Sequence, residues 1–170
     1  MSSIELFQNK TDCCGCSACY NVCPRKAISM QEDEYGYVYP VIDQDKCVGC
    51  GLCRKVCHYQ ADKELRTPIK AYAAAGKKEE FLKKAASGGM FSLVADKILE
   101  EGGVVFGAAM EYHNNTLIPK HIAVESKEEL FKLQGSKYVQ SFIGNTYAEA
   151  KKYLADGRKV LFSGTPCQIE

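Results

Sequence analysis

No stretch of this 170-residue sequence stays apolar over the roughly eighteen residues that a membrane span requires, and tryptophan is absent. Charge of one sign is missing too. Lys and Arg number 22 against 21 Asp and Glu, a formal net charge of +1. That balance gives no electrostatic case for nucleic acid or for an anionic membrane surface. The opening residues MSSIELFQNK do not form a secretory signal. A cytoplasmic protein without membrane insertion is therefore expected. Neither G-x-G-x-x-G nor a P-loop pattern occurs, so the standard dinucleotide and nucleotide-triphosphatase fingerprints are excluded. Disorder is excluded as well, because 46% of the residues are hydrophobic.

What the chain does have is cysteine, 10 residues of 170. Nine lie between Cys13 and Cys57, which divides the chain into regions of different character. Residues 1–66 carry nine Cys, 8 Lys and Arg and 9 Asp and Glu, whereas residues 67–170 carry one Cys, 14 basic and 12 acidic side chains. The polar, proline-ended stretch ADKELRTP at 61–68 reads as a linker. The expected domains are 1–62 and 69–170, joined by 63–68.

The first region contains an internal repeat. Cys13, Cys16, Cys19 and Cys23 follow C-x2-C-x2-C-x3-C, and Cys47, Cys50, Cys53 and Cys57 repeat it, with His58 where Pro24 follows the first set. Gly15 and Gly49 precede the second Cys of each set, where a tight loop must turn its amides inward. Between the sets, AISMQEDEYGYVYPVIDQDK reads as two short strands around a turn at 34–36, and the tyrosines at 35, 37 and 39 alternate as packed strand residues do.

Three chemistries compete for the eight patterned thiols. Disulfides need an oxidising compartment, which nothing here signals. Zinc sites favour paired C-x2-C knuckles with a longer gap. An iron–sulfur cluster takes three close thiolates and a remote fourth, which this doubled spacing supplies. In the bacterial two-cluster run the fourth Cys serves the other cluster, so Cys13, Cys16, Cys19 and Cys57 are expected on one 4Fe–4S cluster and Cys47, Cys50, Cys53 and Cys23 on the second. So short a unit builds only a thin core, so the cluster-free form is expected to be largely unfolded. Cys14 falls outside the spacing and reads as a non-ligand, and His58 as a surface residue or one beside a cluster.

The second region alternates like an α/β domain. AYAAAG (71–76) reads as a strand, 90–101 as a helix stopped by Gly102-Gly103, VVFGAAM (104–110) as a strand, and 113–115 as a turn. LIPKHIAV (117–124) follows as an edge candidate marked by Pro119. Capping boxes at Ser126/Glu129 and Thr146/Glu149 open a short helix at 127–133 and a longer one ending at Gly157. KVLFSG (159–164) reads as a buried strand whose covering helix is not in the sequence, so the chain is expected to be a piece of a longer protein. The fold class expected is α+β, a two-cluster ferredoxin-like N-terminal domain followed by part of an α/β domain.

Two loops here carry candidate chemistry. Ser87-Gly88-Gly89 precedes the helix at Met90, where free amides suit a phosphate, or serves as a plain turn with Ser87 as the N-cap. Gly135-Ser136-Lys137-Tyr138 offers a backbone turn, a hydroxyl, an ammonium and a ring, or is simply a connection. Cys167 follows a strand at the end where open α/β sheets build their sites, which leaves open a ligand role, a redox role or an inert thiol. His113 and His121 sit in a turn and an edge strand, where solvated roles are expected, so no acid–base residue is assigned.

Taken together, LQGSKYVQS (133–141), KVLFSGTPCQI (159–169), the SGG at 87–89 and the two-cluster N-terminus resemble the coenzyme F-420 hydrogenase/dehydrogenase beta-subunit family. The resemblance implies an iron–sulfur flavoprotein oxidoreductase that binds FAD and moves electrons between clusters and a deazaflavin or another organic acceptor. It places Ser87, Gly88, Gly89, Gly135, Ser136, Lys137 and Tyr138 around the flavin, and makes Cys167 a ligand of a third 4Fe–4S cluster completed by cysteines outside this sequence. The implied partner is a protein electron donor or acceptor such as ferredoxin, or a partner oxidoreductase subunit. The substrate does not transfer. A non-catalytic ferredoxin-type electron-transfer subunit that docks onto a partner oxidoreductase is the alternative.

Overall fold

The computed structural model describes residues 5–60 and 67–169, and most of the expected linker at 63–68 lies outside them. Helices and small sheets mix in an α+β arrangement. The chain divides into two compact units: residues 1–65 together with 165–170, and residues 66–164.

In the first unit, helix α1 (Ala18–Val22) precedes the hairpin of β1 (Ile28–Glu32) and β2 (Val38–Ile42), and helix α2 (Leu52–Lys55) follows. The strands pair antiparallel from Ile28 opposite Ile42 to Glu32 opposite Val38. Asp33 builds the turn: its Oδ1 accepts from the Tyr35 and Tyr37 amides, both at 3.0 Å. The turn falls where it was expected, at 34–36, but Tyr35 on it and Tyr37 just after it are 77% and 58% exposed rather than packed. Tyr39 alone of the three turns inward, its ring 6.0 Å from that of Phe7. The apolar core is thin. Leu6, Ile28 and Cys53 are its buried members, flanked by Tyr20, Val22 and Ile42.

The second unit has a central strand, β3 (Val104–His113), between β4 (Thr116–Val124), paired antiparallel, and β5 (Val160–Phe162), paired parallel. Asn114 and Asn115, both at positive φ, close the two-residue β3–β4 turn. Helix α4 (Met90–Glu100) covers one face of the sheet, where Ala95 and Leu99 meet Val105, Ala109, Val124, Leu130 and Leu133. Helix α5 (Thr146–Ala155) belongs to the other, where Ala150 and Tyr153 meet Val104, Phe106 and Phe162. Alternate β3 side chains thus enter opposite cores, which is why VVF reads as a continuous apolar run.

Several local readings are corrected. Residues 71–76 form no strand: apart from the buried Gly76 they are exposed, and the Gly76 amide bonds to the Gly88 carbonyl at 2.7 Å. A short helix not foreseen, α3 (Glu79–Lys83), follows. The helix expected at 127–133 shrinks to a 3-10 turn at Leu130–Lys132, and no side chain caps it. Gly89 rather than Ser87 caps α4, and Asn145 rather than Thr146 caps α5, because the Thr146 hydroxyl donates to the Ile143 carbonyl at 2.8 Å instead. β5 lies at a sheet edge and is only half-buried, not a buried strand. One helical turn, α6 (Pro166–Ile169), follows it.

Candidate cluster sites and an adjoining cavity

Each half of the cysteine repeat is built the same way. The chain makes a loop through a left-handed glycine, Gly15 at φ +64° or Gly49 at φ +68°, and enters a short helix from a second left-handed residue, Ser17 at +63° or Gly51 at +75°. Nothing lies within 4 Å of where a Gly49 side chain would begin, so backbone conformation alone calls for glycine there. These loops wrap three thiols of each set around a cavity. Cys13, Cys16 and Cys19 line the first together with Cys57, which stands two residues past α2. Cys47, Cys50 and Cys53 line the second together with Cys23, the C-cap of α1. Each cavity is thus lined by three thiols of one set and the last thiol of the other.

The first cavity is walled by Leu6, Phe7, Met30 and Pro40, the second by Ala27, Ile28, Ile42, Val48 and Leu52. Backbone amides aim at sulfur in both: Gly15 N–H donates to Cys13 Sγ at 3.4 Å and Ala27 N–H to Cys23 Sγ at 3.3 Å. Burial pushes the Cys13 and Cys53 thiols up and the Cys19 thiol up to about 12, with the neighbouring Cys16 and Cys13 adding to the rise at Cys19. Amide hydrogen bonds from Gly15, Tyr20 and Arg54 oppose the rise at Cys13, Cys19 and Cys53. Such thiols give up their protons when a cation replaces them, so metal uptake releases protons here. A single zinc ion holds its thiolates about 2.3 Å from one point, whereas a four-iron cluster holds each thiolate on a separate iron. Four soft thiols with amide donors and apolar walls fit the cluster.

Cys14, outside the repeat spacing, nonetheless lines the first cavity. Its thiol hydrogen-bonds with that of Cys167, and burial and this bond together raise it to about 12. Cys167, on α6, lies 3.1 Å from the Thr165 hydroxyl. His58 lines the same cavity and packs edge-on against Tyr59, ring centroids 5.2 Å apart. Spacing alone held no signal for the Cys14–Cys167 contact, which joins distant parts of the sequence.

In the second unit, the N-terminus of α4 borders a cavity of about 250 Å³. Ser87, Gly89 and Ser92 line it from one side, Gly135 and Ser136 from another, with Ser163 after β5. Gln134 Nε2 donates to Ser92 Oγ at 3.0 Å and ties the two walls together. Three expected residues are placed elsewhere. Gly88 lies against the backbone of Ala74 and Ala75. Lys137 turns its ammonium back onto the Lys132 and Gln134 carbonyls at 3.1 and 2.7 Å, and burial holds its pKa below the usual lysine value. Tyr138 is 92% exposed. Gln134, Ser92 and Ser163 carry no signal in the sequence, because no local pattern marks a polar side chain that closes a cavity.

His121 is the clearest reversal. It is 1% exposed, not solvated. Its Nε2 donates to the Ser163 carbonyl at 3.0 Å, its Nδ1 accepts from the Ser141 hydroxyl at 2.9 Å, and its ring stacks on Phe162 at 5.4 Å. Burial lowers its pKa. The backbone of Phe142 pairs with the outer side of β4, which covers the edge where solvent was expected.

Comparison with known proteins places both units. The 4Fe-4S dicluster domain family matches residues 12–61, and the N-terminal part of the coenzyme F420 hydrogenase/dehydrogenase beta subunit matches residues 71–145. Residues 12–61 thus form a 4Fe–4S dicluster domain, and residues 71–145 belong with the N-terminal part of the coenzyme F420 hydrogenase/dehydrogenase beta subunit. The dicluster match spans all eight patterned cysteines, and the beta-subunit match spans both loops, 87–89 and 135–138, but not Cys167. An uncharacterized ferredoxin of Methanocaldococcus jannaschii is 33% identical over 55 residues, 32% of the present sequence and 70% of that protein. One subunit of the anaerobic dimethyl sulfoxide reductase of Escherichia coli is 44% identical over 48 residues, 28% of the present sequence and 22% of the relative. An uncharacterized M. jannaschii protein is 26% identical over 186 residues, 92% of the present sequence and 51% of that protein. The chain thus spans about half or less of the length of the last two relatives. The dicluster domain ahead of that segment makes the chain an iron–sulfur electron-transfer component of oxidoreductase chemistry.

Proposed function

We propose that the chain is the iron–sulfur flavoprotein part of an oxidoreductase, passing electrons between two 4Fe–4S clusters and FAD to reduce or oxidise a deazaflavin-like or other organic acceptor. The observation that carries the reading is the crosswise gathering of eight thiols into two cavities. In it Cys13, Cys16, Cys19 and Cys57 hold one cluster, and Cys47, Cys50, Cys53 and Cys23 hold the other. The amide bonds to the Cys13 and Cys23 sulfurs stabilise negative charge there and favour the reduced state, while the apolar walls keep water away from the sulfur and act in the opposite direction.

A bound flavin supplies the conversion between single electrons and a hydride. The α4 N-terminus, with its free amides beside Ser87, Gly89, Gly135 and Ser136, suits phosphate oxygens. At about 250 Å³ this cavity falls just below the range of roughly 300–1,000 Å³ in which whole small-molecule ligands sit, so it suits part of a dinucleotide. By family resemblance, Cys167 contributes to a further cluster whose other thiols lie outside this sequence. The reading expects a ferredoxin or a partner oxidoreductase subunit as the electron partner.

The placements of Lys137 and Tyr138 favour a second reading, a non-catalytic electron-transfer subunit without flavin. Anaerobic purification of the full-length protein, with an absorption spectrum and iron, zinc and flavin analysis, separates the two. About eight to twelve irons per polypeptide with one FAD support the flavoprotein. Iron without flavin selects the carrier subunit, and zinc without iron refutes both.

A further inference from the structure

The two thiol cavities differ in their access to solvent. In the first, none of the four patterned thiols is exposed, and buried Leu6 helps to close it. In the second, Cys50 is exposed, and the flanking Val48 and Leu52 are 55% and 41% exposed. The exposed thiol is what sets the second cavity apart, since Tyr59 on the lining of the first is itself 52% exposed, and it leaves this sulfur open to a partner's surface.

Charge segregates around the same cavity. Arg25 lines it, Lys26 follows in sequence, and Arg54 and Lys55 stand beside Leu52 and Cys53 on the single turn of α2. All four are exposed, and among the described residues none has a carboxylate within ion-pair distance. No Asp or Glu among the described residues lines this cavity, and the Asp43 carboxylate, four residues before Cys47, is held by Lys46 at 2.5 Å. This basic rim sits on a unit whose sequence through residue 66 carries one more acid than base, so the positive charge here is local rather than general.

We propose that the Cys23–Cys47–Cys50–Cys53 cavity is the electron port of this protein, and that its apolar and basic rim docks an acidic electron-carrier protein. The inference rests on the cluster reading above. The exchange moves one electron between the partner's centre and this one, oxidising one by one equivalent and reducing the other, with no bond made and no proton transferred. Electron-transfer encounters use small interfaces, so a few exposed aliphatic side chains beside a group of basic ones suffice. The basic side chains steer approach and make the on-rate depend on salt.

The test uses the anaerobically purified full-length protein and a purified acidic bacterial two-cluster ferredoxin, with binding measured by calorimetry at low and high salt. Arg54→Glu/Lys55→Glu is expected to weaken binding at low salt by about tenfold or more. Arg25→Glu, in a loop outside α2, is expected to shift it in the same direction. The matched reversal Lys151→Glu/Lys152→Glu, on exposed positions of α5, is expected to leave binding unchanged. Iron content and the visible spectrum check that every variant keeps its clusters. Equal effects of both double variants, or no salt dependence, overturn the docking face while leaving the cluster reading intact. Tighter binding of a basic cytochrome, or self-association abolished by Arg54→Glu/Lys55→Glu, overturns it by naming another occupant. Wild-type protein without iron overturns the port and the cluster reading together.

Discussion

Replacing Gly88 by alanine tests whether the double glycine before α4 serves a ligand or the fold. A Cβ at Gly88 would stand 2.4 Å from the Ala74 carbonyl oxygen, 3.2 Å from Ala75 Cα and 3.4 Å from the Ala74 carbonyl carbon. All three are backbone atoms, so no rotamer change relieves the contact. The 74–76 segment must move away, and the 2.7 Å bond from the Gly76 amide to the Gly88 carbonyl is the first casualty. Loss of one backbone hydrogen bond costs about 0.5–1.5 kcal/mol, and overpacking costs about 1–3 kcal/mol where neighbours cannot yield. Because 71–75 is exposed, it can yield in part, so the sum settles at about 1–3 kcal/mol. For a unit of this size that is a fall of about 4 °C or more in Tm. Urea unfolding with hydrogen exchange should show the loss centred on Gly76 and the first turn of α4. Iron content should not change, and any flavin should be retained in proportion to folded protein, since Gly88 does not line the cavity. A Gly88→Ala protein as stable as wild type refutes the close-contact argument. One of full stability that has lost only its flavin shows that the glycine admits a ligand.

Three further outcomes are expected. Cys57→Ser should remove the cluster assigned to Cys13, Cys16 and Cys19, lowering iron from about eight to about four per polypeptide and altering the same electron paramagnetic resonance signal as Cys13→Ser, whereas Cys23→Ser should alter the Cys47 signal. Iron chelation should abolish the cooperative unfolding of the first unit, whose core rests on few buried side chains, and reconstitution with iron and sulfide should restore it; a sharp melt after chelation would contradict this. The buried, hydrogen-bonded His121 has a lowered pKa in the folded state, so the unfolded chain takes up its proton first as pH falls. Stability of the second unit should therefore be flat above about pH 6.5 and decline below it, and His121→Gln should flatten that decline while lowering stability at pH 8. A decline of equal slope in the variant would assign the effect to other groups.

What local sequence made legible, and what it did not, follows from how far each feature reaches along the polypeptide. The cysteine spacing counts residues around a single tight loop, and Gly15 and Gly49 supply the left-handed conformation that such a loop needs, so the two sets were readable without any knowledge of the rest. The same holds for the asparagine turn at 114–115 and the stop at Gly102-Gly103, whose amides bond to Leu99 and Ile98 within one turn. The failures all depend on distant partners. AYAAAG has strand-like composition, but strand propensity expresses fit against neighbours, and among the described residues no strand pairs with 71–76. The turn at 34–36 was legible, but alternation suggested packed tyrosines, whereas Tyr35 and Tyr37 sit on the turn that the Asp33 carboxylate builds and face solvent. His121 reads as an exposed residue on an edge strand, and the edge is real, but Ser141, Phe142 and Phe162, none adjacent in sequence, bury it. Cys14 is the sharpest case. By spacing it is a spare residue beside a ligand, and only the return of Thr165–Ile169 to the first unit brings the Cys167 thiol to it. The chemistry at these thiols therefore depends on a contact between segments far apart in sequence. A change in the 165–169 turn should be felt at the first cluster before it is felt at the second.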